Sequence, residues 1–293
     1  MNQINYARAY SDMLAQAFPY ELRFGDLYGT PNNGRYRFSG GKKIELPVIT
    51  TTGRTDGNRD ALPVMARNYE NSWETKTLSN HRCWSTLIHP ADIDQTAGAV
   101  NVENVTRVYN REHKFPEMDA YCVSKLYSDF TDADGEPVRE TLTASNVLET
   151  FDGLMQEMTE NLVPVSGRIL YVTPAVMSLI KAAAGENRVV SGTSVDRSVT
   201  TLDGVKVVAV PSAYMMTEYD FTSGVSASED AEQIQMLLVH PDAVITPVSY
   251  EFACLDEPTA ATGGKYVYYE ESFEDVFVLE NRASGLAFVL PEE

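Results

Sequence analysis

Several residue types that mark large classes of protein are scarce or absent here. Cysteine occurs three times in 293 residues, as Cys83, Cys122 and Cys254. An odd number, so widely spaced, builds no disulfide framework and points to free thiols in a reducing cell. There is no HExxH helix and no GxSxG elbow, so the common zinc-peptidase and serine-hydrolase signatures are missing. No stretch approaches the roughly 18 apolar residues of a membrane helix. The start, MNQINYARAYSDMLAQAF, is interrupted by charges and lacks a small-residue cleavage site, so it does not read as a secretory signal. Basic residues are few: 23 Lys and Arg against 42 Asp and Glu give a formal charge of −19. A surface this acidic repels phosphate backbones and argues against general nucleic-acid binding.

What is present is a folded composition, 43% hydrophobic and 22% charged, without low-complexity runs. The charge is uneven. Residues 1–60 hold eight basic and six acidic side chains, whereas residues 251–293 hold two basic and ten acidic. A mildly basic arm and an acidic tail attract one another, within a chain or between copies.

The pattern along the chain mixes helix and strand. A short helix over Tyr6 to Phe18 leads into a stretch rich in turn formers, from Pro31 to Gly41, with too little apolar periodicity for a core of its own. KKIELPVITTTG sets Ile44, Leu46 and Val48 on one face, a strand. After about twenty poorly patterned residues, ETKTLSNHRCWSTLIHP alternates again as one strand through Trp84. The pair reads as a long, polar hairpin that is unstable alone and packs on another chain. From Val100 to Phe130 the period is helical, with a break or kink near Phe115 caused by Pro116. Thr143 or Ser145 caps a helix carrying the stripe Val147, Phe151, Leu154 and Met158. Then RILYVTP and QIQMLLVHP are buried strands, AVMSLIKAAAG is a helix closed by Gly185, and Asp203-Gly204 is a hairpin turn. Strict βαβ repetition is lacking, so the fold class is α+β.

The stretch HRCWSTLIHPADID (81–94) is the most tempting for chemistry. A metal-dependent hydrolase built on His81, His89, Asp92 and His240 is one reading, but the spacing lacks the paired ligands of a structural zinc site. A plainer reading compares IHPADI, VTPAVM and VHPDAV. Each is a strand end, one polar residue, then Pro at the first position of a helix. His89, Thr173 and His240 occupy equivalent junctions, and a metal ligand is not exchanged for threonine in a repeated design. ATGGKY (261–266) lacks the first glycine of a phosphate loop, with Thr259 in its place, and TDADGEP is a turn rather than a calcium loop. No catalytic, cofactor or metal residue is therefore assigned.

The order of elements resembles the major capsid proteins of tailed bacteriophages, with the Hong-Kong-97-type fold. The resemblance spans nearly the whole chain and is carried by ETKTLSNHRCWSTLIHPADIDQT, by FPEMDAYCVSKLY and by SFEDVFVLENRASGLAF. It implies an N-terminal arm (1–42), an extended-loop hairpin (43–90), a peripheral domain with the spine helix (91–140), an axial domain (141–248) and closing strands that return to the peripheral domain (249–293). It implies a structural protein, not an enzyme, whose copies assemble as pentamers and hexamers into an icosahedral head around double-stranded DNA. The expected location is the virion, after assembly in the host bacterial cytoplasm. Portal, decoration and separate scaffolding proteins are the implied partners, with no membrane. The arm and hairpin then drape over neighbouring subunits, with Arg54, Arg59, Trp73, Lys76, Arg82 and Trp84 as candidate inter-subunit contacts. With the hairpin starting near residue 43, no scaffolding domain precedes it and no maturation cleavage is expected. An encapsulin-like compartment shell is the alternative within the same fold.

Overall fold

The computed structural model describes residues 20–292, apart from 41, 55–66, 97, 99, 185–189, 192–193, 196–197 and 223. The helix expected over Tyr6 to Phe18, Arg59 and the Gly185 cap lie outside the described residues.

At the centre is a six-stranded mixed sheet. Its order is Val138–Arg139, Leu286–Leu290, Met236–Val239, Ile169–Val172, Val205–Ala209 and Thr201–Leu202. The middle strands are buried on both faces, which is why RILYVTP and QIQMLLVHP read as unbroken apolar runs. Their side-chain period of two divides them between two cores. Leu170, Val172, Met236, Leu238, Ala287 and Val289 pack on one face with Val147, Phe151, Leu154 and Met158 of the helix Val147–Glu160 and with Val176, Met177 and Ile180 of the helix Pro174–Ala183. Ile169, Tyr171, Leu237, Val239, Leu286 and Phe288 pack on the other with Ala120, Cys122, Val123, Leu126 and Phe130. Asp203 and Gly204, at φ 49° and 82°, close the hairpin between Thr201–Leu202 and Val205–Ala209, as the Asp-Gly signal requires.

The spine is nearly continuous. The helix Val102–Tyr109 passes through a wide π-helical turn, Asn110–Lys114, into the helix Phe115–Asp132. Pro116 has no N–H to donate and its ring crowds the carbonyl four residues back. The chain answers with the wide turn rather than a break, so the expected irregularity falls where Pro116 put it.

Three sequence expectations need correction. The single strand through Trp84 is two strands. Tyr69–Thr77 pairs antiparallel with Lys43–Thr51, from Lys43↔Thr77 to Thr51↔Tyr69, and makes the hairpin. His81–Ile88 leaves it to become an edge strand of a second sheet, ordered Val248–Asp256, Tyr266–Glu274, His81–Ile88. Between them Leu78 turns into a small core with Ile44, Leu46, Ile245, Phe277 and Leu279. The polar–apolar alternation runs through this break unchanged, so periodicity could not show it. The base of the hairpin therefore rests on its own chain, although most of its length is exposed.

The arm is corrected in the same way. From Tyr20 onward it does not leave the body. Phe24 and Leu27 are fully buried, Phe24 lies 4.3 Å from the ring of Tyr171, and Asn32 donates to the carbonyls of Asp242 and Val244. Two apolar residues one helical turn apart suffice to seat it, too short a signal for a periodicity argument. Neither Thr143 nor Ser145 caps the helix Val147–Glu160: the N-cap is Asn146, whose Oδ1 accepts from Thr143 N and whose amide donates to Glu140.

Candidate functional site

All three junctions in the sequence are helix caps. His89 Nδ1 accepts from Ala91 N (3.1 Å), Thr173 Oγ1 from Val176 N (3.4 Å) and His240 Nδ1 from Asp242 N (3.2 Å), each just ahead of a helix-starting Pro. His81 lies on a strand, 2.6 Å from Glu271 and stacked on Phe273. The set His81, His89, Asp92 and His240 is thus spread over separate local roles. Among the described residues, no three His, Cys, Asp or Glu side chains are placed to hold a metal ion.

Two buried carboxylates, Asp119 and Asp275, instead stand where other elements join the spine helix. Asp119 takes three donors from the arm: Tyr20 Oη (2.7 Å), Arg23 N (2.8 Å) and Phe24 N (3.1 Å). Burial lifts its carboxyl from 3.8 to about 6, and these hydrogen bonds pull the other way without prevailing. Burial and the neighbouring Asp119 together push the Tyr20 hydroxyl far above the phenol range.

Asp275 plays the matching part at the hairpin root. It accepts from Ser79 N, Ser79 Oγ, Tyr121 Oη and Val276 N. One carboxylate so holds the hairpin exit, the spine helix and the closing segment. The Pro-Glu-x-Asp-Ala-Tyr stretch therefore has a physical reading: Pro116 shapes the helix, Asp119 seats the arm and Tyr121 binds Asp275. Asp119 and Asp275 were not singled out as sites, because nothing marks an Asp on a helix or before a Val as buried. Arg168, 1% exposed, was also missed; its guanidinium holds the carbonyls of Met155, Val163 and Pro164 and so sets the loop after the helix Val147–Glu160.

The six candidate contact residues divide. Arg82 pairs with Glu117 of the spine helix, and Trp84 stacks on Tyr109 at 3.8 Å and 7°. Lys76 bridges Glu74 and Glu280 of its own chain. Trp73 stays 44% exposed on the hairpin, opposite Pro47, with the guanidinium of Arg37 4.0 Å above its ring. Arg54 is exposed toward the hairpin tip, and Arg59 lies outside the described residues. The hairpin thus carries exposed Ile49, Tyr69 and Trp73 well away from both central cores. A second apolar surface lies on the three-stranded sheet, where Leu87, Tyr250 and Phe252 share one face and are exposed.

The fold as a whole recurs in solved structures. The capsid of cyanophage P-SCSP1u superimposes with a TM-score of 0.73 at 11% identity, covering 98% of this chain and 93% of the other. The mature capsid of bacteriophage PhiM1 does so with 0.67 at 12% identity, covering 97% and 91%. This chain has the fold of phage capsid proteins. The capsid of the native GTA particle shares it, with a TM-score of 0.59 at 10% identity over 98% of this chain and 95% of that one. No protein-family description and no curated protein matches the sequence. The Hong-Kong-97-type architecture, mixed helix and sheet, is therefore carried by packing and topology at identities where sequence comparison finds nothing.

Proposed function

We propose that this chain is the major capsid protein of a tailed double-stranded-DNA bacteriophage, assembling through pentamers and hexamers into an icosahedral head. The observation that carries the reading is the end-to-end likeness to phage capsid structures, over 96–98% of the chain. The exposed hairpin supports it. A polar two-stranded ribbon with isolated Ile49, Tyr69 and Trp73 gains little by itself, but laid over a neighbour it buries those side chains. Repetition around a shell multiplies a modest contact. Trp73, Arg54 and Arg59 are the hairpin residues proposed to meet the neighbouring subunit. Lys76, Arg82 and Trp84 act first within their own chain, fixing the hairpin root and the strand His81–Ile88.

The role is structural rather than catalytic, and it needs no cofactor. The virion is the place of function, after assembly in the host cytoplasm with a separate scaffolding protein or with none. A portal and decoration proteins complete the head, and the packaged DNA is enclosed without sequence-specific contact. The test is expression of the full chain with a neighbouring scaffold candidate, read by light scattering and electron microscopy. Thr52 N bonds Asn68 O, so replacing residues 53–67 by a two-residue Asn-Gly turn closes the ribbon with both strands intact. Closed shells from the full chain, and a folded but non-assembling shortened chain, are the expected results. Shells formed equally well without the tip would overturn the assigned role of the hairpin. A full chain that stays monomeric with its scaffold would overturn the shell itself.

A further inference from the structure

Val248–Asp256 is a nine-residue edge strand, bonded among the described residues only to Tyr266–Glu274. Sheets normally blunt such an edge with lysine, proline, shortness or a covering element. VSYEFACLD has no lysine and no proline, and Val248, Tyr250, Phe252 and Leu255 are between 42% and 49% exposed. Its one irregularity lies between Val248 and Tyr250, which leaves Tyr250–Asp256 regular.

The backbone tells which residues face outward. Glu274 N donates to Asn80 O and Asp275 N to Pro247 O. Even-numbered residues of the middle strand thus bond His81–Ile88, and odd-numbered ones bond Val248–Asp256. Phe273, Glu271 and Tyr269 stand opposite Tyr250, Phe252 and Cys254. That leaves Glu251, Ala253 and Leu255 turning their N–H and C=O to the free edge.

We propose that this edge is a two-fold seam, pairing antiparallel with the same strand of a second copy and centred on Ala253. Centring there uses every regular residue. It sets Glu251 opposite Leu255 of the second copy, Asp256 opposite Tyr250 and Phe252 opposite Cys254, so each carboxylate meets an uncharged side chain. Centring on Phe252 would bring the two Glu251 side chains into diagonal reach, roughly 7–8 Å apart. A dyad between two residues would set outward groups against inward ones. The hairpin's outer edge, Tyr69–Thr77, is the poorer partner, because Glu70 and Glu74 add to the negative charge of Glu251 and Asp256. The seam rests on the shell reading: one strand pair is far below the ~1,000 Å² of a stable interface, so it depends on many copies held together.

The test is disulfide trapping in the full chain carrying Phe252→Cys and Cys83→Ser. In the proposed register Cys at 252 faces Cys254 of the second copy across a non-hydrogen-bonded pair, about 4.5 Å between Cα atoms, within disulfide range. Mild oxidation of assembled particles, read on a non-reducing gel, is expected to give covalent dimers. They should vanish when Cys254→Ser is added. They should vanish too with Ala253→Pro, which removes an outward N–H that the chain's own sheet does not use. Dimers that survive Cys254→Ser overturn the register, and dimers that survive Ala253→Pro overturn edge pairing. Particles seen by microscopy without any cross-link overturn the seam and leave the shell standing. A chain that forms neither particles nor dimers overturns both.

Discussion

Replacing Asp119 by Asn tests whether burial, rather than the arm's hydrogen bonds, governs that carboxylate. Its carboxyl is raised from 3.8 to about 6 by burial. Between those values the folded chain keeps a proton that the unfolded chain has lost. The stabilisation from this group is therefore fully present below about pH 3.8 and is lost as pH rises through about 6. About two units at about 1.4 kcal/mol each make the swing about 3 kcal/mol. Asn has no proton to lose but offers one acceptor oxygen to three donors, so near about pH 4 the variant should be less stable by about 1–2 kcal/mol. Toward about pH 7 the wild type gives up its advantage and the variant does not, so the difference should shift by about 3 kcal/mol in the variant's favour. Urea titrations of both proteins at several pH values measure this directly, and hydrogen exchange at the amides of Arg23 and Phe24 reports whether the arm loosens. Parallel stability profiles for the two proteins would refute the reasoning.

Asp275→Ala removes the acceptor of four donors, two of them backbone amides, and should cost about 3–5 kcal/mol in denaturant unfolding. Gly285→Ala places a Cβ 2.7 Å from that of Ala243 in a tight strand-end turn and should cost about 1–3 kcal/mol, seen as a lowered Tm. The two tryptophans should part ways. Trp84→Ala, which loses the stack on Tyr109, should destabilise the chain by about 2–3 kcal/mol. Trp73→Ala should stay within about 1 kcal/mol in stability yet lower the yield of particles by light scattering.

Much of the architecture is legible in the sequence. The two central strands are apolar at every position, so they had to be buried on both faces. The helix Val147–Glu160 announces its buried stripe, Asp203-Gly204 its turn and Pro116 its local irregularity. The repeated strand–polar–Pro design placed His89, Thr173 and His240 at strand-to-helix junctions, and there all three side chains accept a backbone amide as caps. These are local signals, in which a few adjacent residues contain the whole physical reason.

Tertiary structure decided what depends on distant partners. The strand break at Leu78–Asn80 exists because Leu78 finds Ile245, Phe277 and Leu279, and because Asp275 captures Ser79 across the sequence. The arm is seated from Tyr20 because Asp119, far along the chain, gathers three of its donors. Arg82, Trp84 and Lys76 took partners on the spine helix and the closing segment, whereas Trp73 remained outside. An Asp on a helix face or a Trp on a strand looks the same in sequence whether it is buried, paired or exposed. Periodicity along the chain determined which faces are apolar; only packing between distant segments determined which of those faces the chain covers itself and which it leaves for others.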